Sequence, residues 1–176
     1  MWQYNNWIFF VWKIFRGTDL LFQSKSTNKI YLQDTYGDNH CVLKLVDSLS
    51  KRIKFCIGFS SETHSSKLNL IVLGQYDKLI IEVDKFLYFI SLSKGDVISK
   101  IELFTPLIGL HHKKEKLLVL EEAELKVIDI NGIVNKEEFF DLIEDFTFVD
   151  NTLYLTTIEG EKKRLKFRKK HVVNIY

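Results

Sequence analysis

A chain of 176 residues, 46% hydrophobic and 14% aromatic, has the length of one domain and enough apolar side chain to bury a substantial core. With a formal net charge of only +2, this composition excludes large-scale disorder and argues against a strongly basic nucleic-acid binder. One alanine (Ala123), one proline (Pro106) and 21 lysines against four arginines are what AT-rich coding yields; scarce Ala with abundant Ile, Val and Phe tilts local preference toward sheet.

The N-terminal stretch "MWQYNNWIFFVWKIFRG" holds an apolar run from Trp7 to Val11, extended to Phe15 but interrupted by Lys13. It is under half the length that spans a bilayer and has neither a basic leader nor a small-residue cleavage site. A buried strand is expected, not a membrane segment. "DLLFQSK" and "KIYLQD" follow as two more strands, with turns at "RGTD" and "STNK". Val42, Leu45, Val46, Leu49 and Ile53 then recur at helical spacing, which predicts one amphipathic helix over about 41–53, with "GDN" supplying capping residues. Cys41 would stand at its N-terminus, where a thiol pKa can fall; a small core thiol is the plainer reading. Two cysteines, Cys41 and Cys56, without CxxC spacing fit a reducing cytoplasm. A strand "KFCIGF" and a polar joint "SSETHSS" close this part, which spans residues 1–66.

Residues 67–176 repeat. Leu79, Leu87, Phe89, Ile90 and Leu92 match Leu117, Leu125, Val127, Ile128 and Ile130 at an offset of 38. Gly95 then aligns with Gly132 and Val97 with Val134, and a third copy starts at Leu153 and runs to "RLKF" near Phe167. Each copy reads as four short apolar runs divided by polar, charged and Gly turns, the pattern of one β-propeller blade. In "KLLVLEEAELKVIDINGIVNK", helical phasing would put Glu121 and Glu124 on the apolar stripe. Two strands bridged by "EEAE" are therefore predicted, with "DING" as the next hairpin, where Gly permits positive φ.

"YFISLSKGDVISKIEL" and "KVIDINGIVNKEEF" resemble the blade hairpin of quinoprotein-like and WD-repeat propellers over about residues 67–167. The resemblance implies a mainly β fold of antiparallel four-stranded blade-like sheets. With room for about two and a half blades where closed rings carry four to eight, a partial, open propeller is expected, in one compact unit with the one N-terminal helix. A generic antiparallel meander is the alternative. The Trp-Asp pair of WD repeats and the tryptophan docking motif of quinoprotein repeats are both absent, so no cofactor is expected.

Chemistry-bearing motifs are missing: the sequence has no GxSxG, P-loop or GxGxxG. His111 and His112 would face opposite sides of a strand without ligand-spaced partners, so no metal is expected, and the chain is read as not an enzyme. Charge placement says more. "EEFFDLIEDFTFVD" carries Glu137, Glu138, Asp141, Glu144, Asp145 and Asp150 with no basic residue, interleaved with Phe139, Phe140, Ile143 and Phe146. "KKRLKFRKK", residues 162–170, carries seven basic residues and no acid. The plain readings are a solvated connection for the first and a Lys-protected edge strand for the second.

In type, a small β-rich binder with an acidic aromatic segment resembles the immunity proteins of bacterial polymorphic and contact-dependent growth-inhibition toxin systems. That resemblance implies a cytoplasmic protein that binds a cationic, nuclease-type toxin domain one-to-one and occludes its active site. Glu137, Glu138, Phe139, Phe140, Asp141, Glu144 and Asp145 would be the contacts. A propeller-like scaffold or small-ligand binder is the competing class. An RNA-binding module through residues 162–170 is the third, although no stacking platform is visible beside that run.

Overall fold

A computed structural model of the chain describes residues 2–4, 7–14, 28–32, 37, 39–47, 49–62, 69–150, 152–167 and 172–174. They form seventeen strands in four sheets. The chain divides into two units: Met1–Leu103 with Ile130–Ile133, and Phe104–Asp129 with Val134–Tyr176.

The first unit opens with a five-stranded sheet. Its strands β1 (Trp2–Tyr4), β2 (Trp7–Ile14), β3 (Lys29–Tyr31), β4 (Asn39–Asp47) and β5 (Ile53–Ser61) lie in the order β1-β2-β4-β5-β3. All pairings are antiparallel except β3 with β5. The predicted strands at residues 7–15 and in "KIYLQD" are thus present. "DLLFQSK" and most of the polar joint lie outside the described residues.

The helix expected over 41–53 is a correction: these residues form β4, a turn and β5. Cys41, Val42, Leu43, Leu45 and Val46 are all buried, so β4 is covered on both faces and shows no two-residue alternation. Leu49, which the helical stripe would bury, is 79% exposed in the turn. That turn is built by Asp47, whose Oδ1 accepts from the backbone N–H of Leu49 and Ser50 at 3.0 and 2.7 Å, with Lys51 in the left-handed region at φ 55°. Side-chain capping by Asp is a turn former's habit. Cys41 and Cys56 are buried in this sheet and form no disulfide, so Cys41 is a core thiol and not a helix-terminal one.

Three four-stranded meanders follow. The first has β6 (Leu70–Leu73), β7 (Lys78–Val83), β8 (Phe86–Ser91) and β9 (Val97–Glu102). The second has β10 (Leu107–Lys113), β11 (Lys116–Glu121), β12 (Glu124–Asp129) and β13 (Val134–Phe139), and the third β14 (Ile143–Val149), β15 (Thr152–Thr157), β16 (Lys162–Phe167) and β17 (Val172–Asn174). Leu79, Leu117 and Leu153 each hold the second position of the second strand, as the repeat predicts. The third copy does not end at Phe167: β17 pairs outside β16, with Leu165 opposite Asn174, and completes the blade. The Lys-rich strand is therefore internal to its sheet.

Turn chemistry repeats with the strands. Gly95 and Gly132 turn the third-to-fourth hairpins at φ +70° and +85°, as their alignment predicts. Asp77, Lys114 and Asp150 turn the first-to-second hairpins at φ 57°, 54° and 52°, a left-handed position filled without glycine.

Each unit has its own core. In the first, Leu43, Leu45, Phe55 and Ile57 of the five-stranded sheet join Leu79, Ile81, Tyr88 and Ile90 of the first blade in one buried cluster. The N-terminal sheet thus covers that blade's apolar face, by the hydrophobic burial that dominates folding. In the second unit, Leu118, Leu120, Leu125 and Val127 pack with Leu153, Leu155 and Leu165, closed at the margin by Phe140, Phe146, Phe148 and Phe167.

Candidate functional site

Strand alternation decides where each residue of the acidic segment goes. On β13 and the turn after it, Glu137 and Asp141 are exposed and Phe139 is 65% exposed. Glu138 faces inward, half-buried, and accepts a hydrogen bond from Lys136 Nζ at 2.7 Å. Phe140 turns into the second core, where Lys163 Nζ stands 4.8 Å from its ring centroid. Glu144 and Asp145 are exposed at the start of β14. Of the seven residues expected as contacts, five are presented to solvent and two are drawn inward.

In a meander, the second-to-third turn and the connection leaving the fourth strand fall at the same end. In the second unit this end is stitched backbone to backbone. Glu122 N–H donates to the Pro106 carbonyl at 3.1 Å and Phe140 N–H to Ala123 at 2.9 Å. Ile143 N–H donates to Glu122 at 2.7 Å, and Ile158 N–H to Leu142 at 2.9 Å. Four turns, around residues 104–106, 122–123, 140–142 and 158–161, thereby form one continuous rim. Sequence reasoning missed it, because it joins residues from four separate turns.

Beneath the rim lies a buried charge cluster. A two-residue turn at Glu122–Ala123 places Glu121, Glu124 and Lys126 on the same face of the β11–β12 hairpin as Leu117 and Val119, and all are buried. Lys126 Nζ donates to Glu121 Oε1 at 2.5 Å and to Glu124 Oε2 at 2.6 Å. Glu121 Oε2 accepts the backbone N–H of Phe104 and Thr105 at 2.5 and 2.7 Å, which compensates the second negative charge and fixes the first turn of the rim. Burial pulls the Lys126 pKa down, but the hydrogen bonds and charges of both carboxylates outweigh it and hold the ammonium above its usual value. The sequence signal was available: in such a hairpin, residues 121, 124 and 126 share a face.

The basic run begins in β16. Lys163 contacts Glu161 at 3.4 Å, while Lys162 and Arg164 are exposed. Arg164 lies opposite Tyr154, its guanidinium 5.6 Å from the ring centroid, so an aromatic does accompany the run. His111 stacks on Phe148 at 3.9 Å between ring centroids, and Phe148 on Phe167 at 5.5 Å. Burial first, then Lys113 and His112, lower the His111 pKa. His112 Nε2 meets the Lys114 carbonyl oxygen instead, so the two rings have separate roles. Among the described residues no group of three or more His, Cys, Asp and Glu is placed to hold a metal ion, and no helix is long and apolar enough to cross a membrane.

These four-stranded blades define a propeller-like fold. No protein-family model matches the chain and no curated protein is similar to it in sequence. Solved structures are similar in fold. BamB from Moraxella catarrhalis matches at 15% identity and a TM-score of 0.53, over 77% of this chain and 41% of its own. The computationally designed Ika4 protein matches at 14% and 0.52, over 82% of this chain and 94% of its own. A chain in the S. cerevisiae assembly of dbp5 bound to nup159 and gle1 matches at 10% and 0.56, over 97% of this chain and 50% of its own. At such identities the likeness is one of fold. The chain spans about two fifths of the length of BamB.

Proposed function

We propose that this chain is a non-enzymatic protein-binding module that acts by covering a surface of its partner, with the acidic segment from Glu137 to Asp145 as part of the contact face. The observation that carries this reading is exposure: Glu137, Phe139, Asp141, Glu144 and Asp145 stand in solvent beside the rim instead of being absorbed by the fold. Exposed carboxylates around an aromatic suit a cationic protein, because complementary charge speeds encounter and an aromatic anchor supplies binding energy. The S. cerevisiae assembly builds a chain of similar fold into a multiprotein complex, which supports the reading by analogy of fold.

Its specific form is an immunity protein: one copy binds one cationic toxin domain of nuclease type and occludes the active site, in the cytoplasm. The test is co-expression with the C-terminal domain encoded by the gene directly upstream. A one-to-one complex is expected, weakened at least about tenfold by charge reversal at Glu137, Asp141 and Asp145 together. Glu138 is left intact because Lys136 holds it. Unchanged affinity would sink the segment as a contact face.

A second reading has one observation behind it. Tyr154 and Arg164 lie side by side with Lys162 on exposed positions of one sheet face, a small stacking and phosphate surface for single-stranded RNA. Salt-dependent RNA affinity that is lost in Tyr154→Ala and Arg164→Ala would favour it over the protein-binding reading.

A further inference from the structure

The stitched rim of the second unit combines exposed apolar side chains with carboxylates. Its turns expose Phe104 (81%), Leu142 (47%) and Ile158 (60%). Single exposed apolar residues need no explanation, whereas a contiguous set marks an interaction surface. The turns that carry these three are joined through the backbone. Ile158 is bonded directly to Leu142, the next residue, Ile143, to Glu122, and Glu122 to Pro106, two residues from Phe104. Phe104 is held in place from below, its N–H and that of Thr105 donated to the buried Glu121 carboxylate.

The turns themselves carry charge of one sign, with Lys163 of β16 reaching Glu161 at 3.4 Å. The four turns carry Glu122, Asp141, Glu159 and Glu161 and no Lys or Arg. The opposite end of the same blade turns through Lys113, Lys114, Glu115 and Lys116, so the two ends of the strands differ in sign. We infer that the rim is the docking site for a basic segment of a partner protein, whose apolar side chains rest on Phe104, Leu142 and Ile158 while its Lys or Arg side chains face the carboxylates of Glu122, Asp141 and Glu159. A purely cationic segment would leave the apolar residues in water, and an acidic one would be repelled. This rests on the protein-binding reading above and moves its centre to the rim, which shares only residues 140–142 with the Glu137–Asp145 segment.

Fluorescence anisotropy of the full chain with three short labelled peptides tests it: one of Lys and Leu, one of Glu and Leu, one of Lys and Gly. Saturable binding of the Lys/Leu peptide alone is expected. The pair Leu142→Ser with Ile158→Ser, and separately Glu122→Gln with Asp141→Asn and Glu159→Gln, should each weaken it at least about tenfold. All five positions are turn residues, four of them exposed and Glu122 half-buried, and far-UV circular dichroism confirms that each variant keeps its sheet. Two results would overturn the rim. If the rim variants bind as the wild type does while charge reversal at Glu137 and Asp145 abolishes binding, the acidic segment stands and the rim falls. If no peptide binds but the upstream-encoded domain does, the protein-binding reading stands and the partner chemistry inferred here is wrong.

Discussion

Glu121, Glu124 and Lys126 show how a polar string becomes core. Two carboxylates and one ammonium would be costly to bury singly, since each ion loses its hydration. The mutual bonds of the three, with two backbone N–H groups on Glu121, offset that cost. Removing one member leaves the others buried and uncompensated, so Glu121→Ala is expected to cost about 3–5 kcal/mol in urea unfolding, and a loss under about 1 kcal/mol would contradict the account. The same substitution frees the Phe104 and Thr105 N–H groups, so Phe104 amide exchange should speed up more than that of Leu155 in the core. In "EEAE" the charges are legible and the turn is legible, but burial is not. Whether a hairpin face meets water is decided by what packs on it.

Among the elements, the hairpin turns carry the repeat most faithfully. Gly132 and Gly160 both sit near φ +85°, but a Cβ at Gly132 would press on Ser99 and on the Phe89 ring, while one at Gly160 would meet nothing within 4 Å. Both Ala variants pay backbone strain of at least about 1 kcal/mol; only Gly132→Ala adds crowding, so it should unfold at clearly lower temperature than Gly160→Ala. The β10–β14 contact of His111 with Phe148 gives a pH signature. The lowered pKa of His111 means its stabilising contribution is complete above the unfolded value of about 6.5 and is lost as pH falls through the folded one. His111→Phe should flatten the denaturation midpoint between about pH 7 and 5 relative to the wild type; parallel curves would refute that role.

For the molecule as a whole, exposed charge governs association more than stability. The exposed carboxylates of the rim and of the acidic segment, Glu137, Asp141, Glu144, Asp145 and Glu159, are in water, where screening sets in over about 10 Å at 0.1 M salt. Raising salt from about 0.05 to 0.5 M should therefore slow association with a basic partner severalfold and change dissociation little, measured by surface plasmon resonance. An effect confined to dissociation would point to apolar contacts alone. The fold itself should not respond, because the cores around Leu45 and Leu155 are apolar.

Much of this was written locally. Alternating apolar residues, Gly at left-handed turns and an offset of 38 then 36 residues determined the strands of the three blades, because side-chain alternation and turn conformation depend on near neighbours. Only tertiary structure decided the rest. Val42, Leu45 and Val46 imitate a helix stripe because β4 is buried on both faces, and cover from above and below erases the period of two. β17 joins as a fourth strand although "VVN" is too short to announce itself, since a ready edge supplies its partners. The rim of Phe104, Leu142 and Ile158 exists only where four distant turns meet, and no local pattern records which turns a meander brings to one end.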